Sequence, residues 1–170
     1  MRCLTLTVER CIREAVKAFE GLSRDQYLNC CQSVISGLAE LASVNRDLLV
    51  KVGTGFGGGF AGMGKICGAL TGGIMLIGSK HGVYGSEPYE SFKERKTLCK
   101  ALVREYYKWF LEEVKALNCH EITGIDSGTE EGMALYAELK QARKVPCYEI
   151  IEKSVRRLYG ILTQNPVGKF

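Results

Sequence analysis

Eight cysteines in 170 residues are the part of this sequence with the clearest chemistry. Thiolates bind zinc or the irons of an iron–sulfur cluster, and paired thiols form disulfides. Four cysteines lie in or at the ends of predicted helices, often beside a turn: Cys31, Cys67, Cys119 and Cys147. They are far apart in the chain and lack the C-x-x-C pairs of small zinc modules. Spacing alone therefore does not separate a metal site from four packed thiols.

The other cysteines have plainer explanations. Cys3 is terminal, whereas Cys11 and Cys99 lie within apolar stripes of predicted helices, which indicates packing in the core. Cys30 precedes Cys31 directly, and consecutive residues of a helix point about 100° apart. Both cannot easily face one site, so whether Cys30 or Cys31 serves it stays open at this level.

A glycine-dense stretch runs from Gly53 to Gly82 and passes into an apolar segment at Cys67. Glycine costs about 1 kcal/mol in a helix interior, so this density needs a structural reason. We interpret it as backbone held closely around a bound group. The predicted cofactor-contacting glycines are Gly57, Gly58, Gly59, Gly68 and Gly72.

Phosphate-loop patterns overlap this stretch. Gly59, Gly64 and Lys65 satisfy most of a Walker A motif, but Ile66 stands where Ser or Thr would coordinate magnesium. No alternation of strands and helices surrounds the stretch. The sequence therefore disfavours nucleotide binding.

Helical periodicity predicts a single all-α domain over residues 1–170, with six or seven helices and the glycine-rich loop before a buried helix. No convincing run of two-residue alternation indicates a strand. The predicted helices are Thr7 to Gly21, Ser23 or Asp25 to Leu41, Asn45 or Asp47 to Val52, Lys65 to Lys80, Ser91 to Leu117, Thr129 through Leu139, and Pro146 through Ile161.

Charge and the ends of the chain bear on location and partners. The net charge of +4 is modest and spread among Glu residues, which argues against nucleic acid as the main partner. Met1 to Thr7 carries no apolar signal segment, so we expect the cytoplasm, where thiols stay reduced. The apolar run from Ile66 to Gly78 is shorter than the ~20 residues that cross a bilayer, so we expect no membrane span.

Three stretches carry a resemblance to a known family: Asn29-Cys30-Cys31-Gln32-Ser33-Val34, Thr54-Gly55-Phe56-Gly57-Gly58-Gly59 and Cys67-Gly68-Ala69-Leu70-Thr71-Gly72. From about Val16 to Ile161 the chain resembles the bacterial and archaeal C_GCAxxG_C_C family of redox-active proteins. Four cysteines mark that family, and the second opens a motif that Cys67 to Gly72 keeps intact. Cys31 matches the first cysteine, in a sequence similar to the family's N-C-A-Q-A-V, and Cys119 and Cys147 match the third and fourth.

The resemblance implies a small redox or electron-transfer protein. The family is similar to the cluster-bearing part of split-Soret cytochrome c, which implies a [2Fe–2S] cluster on Cys31, Cys67, Cys119 and Cys147, an unidentified redox partner and a homodimer. Covalent haem is not expected, because the chain has no C-x-x-C-H. Two alternatives stay open: a metal-free protein whose thiols cycle through disulfides, and a structural or interaction domain stabilised by zinc. Enzymatic activity stays undecided.

Overall fold

A computed structural model describes residues 6–23 and 26–164, and within these ranges the chain is all-α, as predicted. Eight α-helices form one arrangement, with a turn of 3₁₀-helix at Gly53–Phe56 after the third. They are α1 (Val8–Glu20), α2 (Cys30–Ala42), α3 (Arg46–Val52), α4 (Gly68–His81), α5 (Tyr89–Val114), α6 (Cys119–Thr123), α7 (Glu130–Gln141) and α8 (Cys147–Thr163).

Two predicted helix starts are confirmed by side-chain caps. The side chain of Thr7 accepts from the backbone N–H of Arg10 at the start of α1, and that of Thr129 accepts from Gly132 at the start of α7. Such caps satisfy backbone donors that the first helical turn leaves free. Polar residues before an apolar stripe were therefore reliable markers at both places.

The expected start of α2 at Ser23 or Asp25 is wrong. The helix begins at Cys30, because Asn29 and Gln32 form a capping box in which each side chain accepts from the backbone of the other. Ser23 lies in a bend, and Asp25 is outside the described residues. Cys30 and Cys31 are consequently the first two residues of α2.

The core surrounds α2, which packs against α1, α3, α4 and α8. Its residues from Cys30 to Ala39 are all buried, including the polar side chain of Ser33. The buried α4 packs between α2 and α5 and also contacts α8. Apolar residues of these helices form a single cluster, whose burial supplies the main driving force for folding.

Two further predictions about helix ends are wrong near the glycine-rich stretch. Lys65 and Ile66 precede α4 rather than belong to it, since Ile66 pairs with Asn118 in an isolated antiparallel bridge. The predicted helix from Ser91 to Leu117 ends earlier than expected, because α5 stops at Val114. Asn118 instead caps α6, which the sequence did not indicate.

None of the helices in the described ranges has the length and apolar character needed to cross a membrane.

Candidate cysteine site

Four buried cysteines stand at the starts of four different helices. Cys30 is the first residue of α2, Cys67 is the N-cap of α4, Cys119 is the first residue of α6 and Cys147 is the first residue of α8. Each is at most 7% exposed. The N-termini of α2, α4 and α8 carry partial positive charge, which favours a thiolate or another anion beside them.

The isolated bridge places Cys67 beside Cys119. The N–H of Cys67 donates to the carbonyl of Leu117 at 2.8 Å, and the N–H of Cys119 donates to the carbonyl of Lys65 at 2.6 Å. Side chains at paired positions of such a bridge point to the same face. Cys67 and Cys119 each follow one of the paired residues, Ile66 and Asn118, so both side chains project to the opposite face. They are brought together although 52 positions separate them in the chain.

Cys30 and Cys147 form a second close pair. Hydrogen bonding between the two thiols raises the pKa of Cys30 and lowers that of Cys147, and burial raises the pKa of Cys30 further. The Cys147 sulfur also accepts a hydrogen bond of 3.4 Å from the hydroxyl of Tyr136. Cys147 is therefore the thiol of this pair that ionises first.

The two pairs are close enough to influence each other. Negative charge on Cys67, Cys119 or Cys147 raises the pKa of Cys30, and charge on Cys147 raises that of Cys67 and Cys119. Burial is the larger cause for the last two, raising the pKa of Cys67 to about 12 and that of Cys119 to about 11. Cys30, Cys67, Cys119 and Cys147 are hereafter called the cysteine quartet.

Cys31 lies outside the cysteine quartet, contrary to its expected place in the site. It is fully buried, and its thiol donates to the sulfur of Met75 at 3.7 Å. Burial raises the pKa of Cys31 to about 11, while a hydrogen bond with Thr71 acts in the opposite direction. Its neighbours are thus those of a packed core thiol.

A sequence signal for Cys30 was present. Aligned residue by residue, Asn29-Cys30-Cys31-Gln32 sets Cys30 against the cysteine of the family's N-C-A-Q and Cys31 against the alanine. The capping box explains this order, because it fixes Asn29 as the N-cap and Cys30 as the first helical residue. The two adjacent thiols then point in different directions.

Two predicted cofactor glycines are contact points between α4 and α2. A Cβ atom at Gly68 would lie 2.9 Å from the backbone nitrogen of Cys31 and 3.1 Å from the Cβ of Cys30. At Gly72 it would lie 2.6 Å from the carbonyl oxygen of Cys31. These glycines let the two helices approach closely, which holds Cys67 and Cys30 together.

The glycines of the preceding loop have other neighbours. A Cβ atom at Gly57 would meet the side chain of Asn29, and one at Gly58 would meet only the backbone of Gly62 within 4 Å. Gly59 has φ +70°, and its carbonyl accepts from the N–H of Lys65. The described contacts of these three glycines thus involve the loop and the cap of α2, not a sulfur atom.

Asn29 ties the loop to the first cysteine of the quartet. Its side-chain nitrogen donates to the carbonyls of Gly53 and Thr54, both at 3.1 Å. Its side-chain oxygen accepts from the N–H of Gln32 at 3.1 Å. One residue therefore joins the start of α2 to the start of the glycine-rich stretch.

The remaining thiols do not join the quartet. Cys11 is buried in α1 and Cys99 is half-buried in α5, while Cys3 lies outside the described residues. All seven cysteines of residues 6–23 and 26–164 are free thiols. Within the same ranges, no group of three or more His, Cys, Asp or Glu side chains is arranged to hold a metal ion.

Comparison with protein families gives one match. The model of the family described as "Putative redox-active protein (C_GCAxxG_C_C)" matches residues 28–161, so the chain belongs to this family. Neither the curated proteins nor the solved structures contain a match to the chain.

The family match includes the segment Cys67-Gly68-Ala69-Leu70-Thr71-Gly72, which shares its alanine and its last glycine with the letters G-C-A-x-x-G of the family name. Gly72, that last glycine, packs against the backbone of Cys31.

Proposed function

We propose that this redox-active protein binds a [2Fe–2S] cluster through the cysteine quartet. The ligands would be Cys30, Cys67, Cys119 and Cys147, with Cys30 in place of the Cys31 expected from sequence. The observation that carries the proposal is that these four buried thiols stand at the starts of four helices and affect one another's pKa values.

The donor set suits such a cluster. Four thiolates ligate a [2Fe–2S] cluster, two on each iron. The quartet consists of two pairs, Cys67 with Cys119 across the backbone bridge and Cys30 with Cys147, whose thiols shift each other's pKa values. Two pairs of sulfur donors match the requirement of a two-iron centre better than they match one ion.

The chain supplies the surroundings that an anionic centre needs. The backbone N–H groups of Ala69 and Leu70 face the sulfur of Cys67 and lower its pKa against the effect of burial. Tyr136 donates to the sulfur of Cys147. Hydrogen bonds to sulfur and exclusion of water both adjust reduction potential, so these residues would hold the centre and set its properties.

The chemistry that such a cluster supplies is the uptake and release of one electron at a time. Electron transfer needs a redox partner, whose identity stays open together with the homodimer expected from the split-Soret resemblance. A reducing compartment such as the cytoplasm would keep the unloaded thiols reduced. We keep this location as part of the proposal.

Anaerobic reconstitution tests the assignment. The protein, incubated with ferrous iron, sulfide and a thiol reductant, should become brown and hold about two irons and two sulfides per chain. Alanine variants at Cys30, Cys67, Cys119 and Cys147 should each lose most of this iron, whereas Cys31→Ala should keep it. Stoichiometric zinc in anaerobically isolated protein, with no iron uptake, would support the zinc-stabilised domain instead.

A second candidate function is thiol–disulfide exchange between Cys30 and Cys147. In its favour, hydrogen bonding with Cys30 lowers the pKa of Cys147, and a lowered pKa is the property of an attacking cysteine. With a small disulfide as oxidant, the Cys147 thiolate attacks one sulfur and releases the first thiolate. Cys30 then displaces the second, so two protein thiols become one disulfide and two small thiols form.

Mass spectrometry separates the two candidates. Metal-free protein treated with oxidised glutathione should lose two mass units and link the peptides of Cys30 and Cys147 if the exchange function operates. Cys147→Ser should abolish this link, whereas Cys99→Ser, a change at a cysteine outside the quartet, should leave it intact. Iron uptake without such a disulfide would favour the cluster.

A further inference from the structure

Helix α7 carries two polar side chains on one face, and one of them bonds to the cysteine quartet. Tyr136 and Lys140 are one helical turn apart, at positions that lie above each other. The hydroxyl of Tyr136 donates to the sulfur of Cys147 at 3.4 Å. Neither residue belongs to the set that would ligate a metal; Tyr136 bonds to one of its sulfurs, and Lys140 lies one helical turn further along α7.

Tyr136 remains a hydrogen-bond donor under all ordinary conditions. Burial raises its pKa far above the usual value, and negative charge on Cys30 and Cys147 raises it further. The hydroxyl therefore keeps its proton when the neighbouring thiols ionise. Its hydrogen bond to Cys147 thus becomes stronger when that sulfur carries more negative charge.

Lys140 places a buried cation one helical turn from Tyr136. The residue is only 6% exposed, and its ammonium lies 3.2 Å from the ring centroid of Tyr27 and 4.6 Å from that of Phe19. Burial lowers the pKa of Lys140 to about 8, whereas negative charge on Cys30 and Cys147 favours its protonated form. Added negative charge at the quartet would therefore keep Lys140 protonated.

We propose that Tyr136 and Lys140 are positioning residues that raise the reduction potential of the quartet-bound centre. This inference rests on the proposed function. Reduction adds one negative charge to the centre and its sulfur ligands. A hydrogen bond to Cys147 and a buried positive charge both stabilise the reduced state more than the oxidised state, so both shift the potential upwards.

The test is a potentiometric titration of the anaerobically reconstituted protein, followed by absorption and electron paramagnetic resonance. Tyr136→Phe and Lys140→Met should each shift the midpoint potential to lower values while iron content stays at the wild-type level. Lys140→Arg, which keeps the positive charge, should have a midpoint potential close to that of the wild type. Resonance Raman spectra of Tyr136→Phe should also show altered iron–sulfur stretching, because one sulfur has lost its hydrogen bond.

Two matched controls exclude general effects of the substitutions. Tyr159→Phe removes a tyrosine hydroxyl that donates to the carbonyl of Leu6, far along α8 from Cys147. Lys144→Met removes a lysine that is exposed. Both should keep the wild-type potential, and circular dichroism of every variant should show the wild-type helical content and folding.

The outcomes separate this inference from the function on which it rests. If wild-type protein assembles no cluster, both proposals fall. If it assembles one and the potentials of Tyr136→Phe and Lys140→Met equal those of their controls, only the role of α7 is overturned. If Lys140→Met folds poorly, Tyr136→Phe and Lys140→Arg still decide the result, because each changes few atoms and leaves the helix otherwise intact.

Discussion

The carbonyl oxygen of Cys31 occupies the space that a Cβ atom at Gly72 would need, with 2.6 Å between the two. The Cα of Cys31 would lie at 3.1 Å from the same Cβ. Both atoms belong to the backbone of α2, which cannot turn aside as a flexible side chain would. The absence of a side chain at Gly72 is therefore a condition for the contact between α2 and α4.

Gly72→Ala should consequently destabilise the protein by about 1–3 kcal/mol, the usual cost of overpacking a core. The direction is informative, since Gly to Ala in a helix interior is ordinarily stabilising by about 1 kcal/mol. Gly78→Ala is the matched control on the same helix, because a Cβ atom there meets nothing within 4 Å. Chemical unfolding should show stability lost at Gly72 and unchanged or gained at Gly78; equal effects at both would contradict the packing argument.

Much of the fold was predictable because its signals are local. Thr7 and Thr129 mark helix starts by side chains that bond within one turn, and apolar stripes mark the buried faces. The bridge between Ile66 and Asn118 was not predictable, since it joins residues 52 positions apart through backbone atoms. Backbone pairing of this kind leaves no mark in side-chain periodicity.

The site was predictable in part for the same reason. Cysteine type and family motif indicated Cys67, Cys119 and Cys147, and the structure places each of them, buried, at the start of a helix. The choice between Cys30 and Cys31 depends on the residue at which α2 begins. That start is set by the reciprocal bonds of Asn29 and Gln32, a local signal that the expected earlier start obscured.

Adjacent cysteines give a direct test of the quartet. Cys30→Ala should lose most reconstituted iron, because it removes a proposed ligand whose pKa responds to the other three thiols of the quartet. Cys31→Ala should keep the iron, although removing a fully buried thiol should lower stability by about 1 kcal/mol. Iron analysis and chemical unfolding of both variants check this. Iron loss from Cys31→Ala with retention in Cys30→Ala would reverse the assignment.

Asn29→Ala should affect both stability and iron retention. The substitution removes a helix cap, worth about 0.5–2 kcal/mol, together with the two bonds to the carbonyls of Gly53 and Thr54. Thr7→Ala is the control, as it removes only the cap of α1. Calorimetry should show both variants destabilised, and a chelator should strip iron faster from Asn29→Ala alone. Equal iron loss from both would indicate that the cap acts only on global stability.

The stability of the metal-free protein should fall as pH rises above 9. Burial raises the pKa of Cys31, Cys67 and Cys119 from an ordinary value of 9.0 to between about 11 and about 12. Folding therefore favours the neutral thiols, and this stabilisation is complete below the pKa of the unfolded chain and is lost as pH approaches the folded values. A rise of two units corresponds to about 3 kcal/mol for one thiol. Cys30, whose pKa is also raised, adds to these three thiols, whereas Cys147 and Lys140, whose pKa values are lowered, act oppositely.

Urea unfolding of reduced, metal-free protein at pH 7, 8, 9 and 10.5 measures this loss. Cys31→Val provides the control, because valine occupies similar space without ionising and removes one of the three contributions. The variant should lose less stability than the wild type between pH 9 and 10.5. The two proteins should have parallel behaviour between pH 7 and 8, where Cys31 remains neutral in both the folded and unfolded states. Identical pH profiles over the whole range would show that ionisation of Cys31 is not linked to folding.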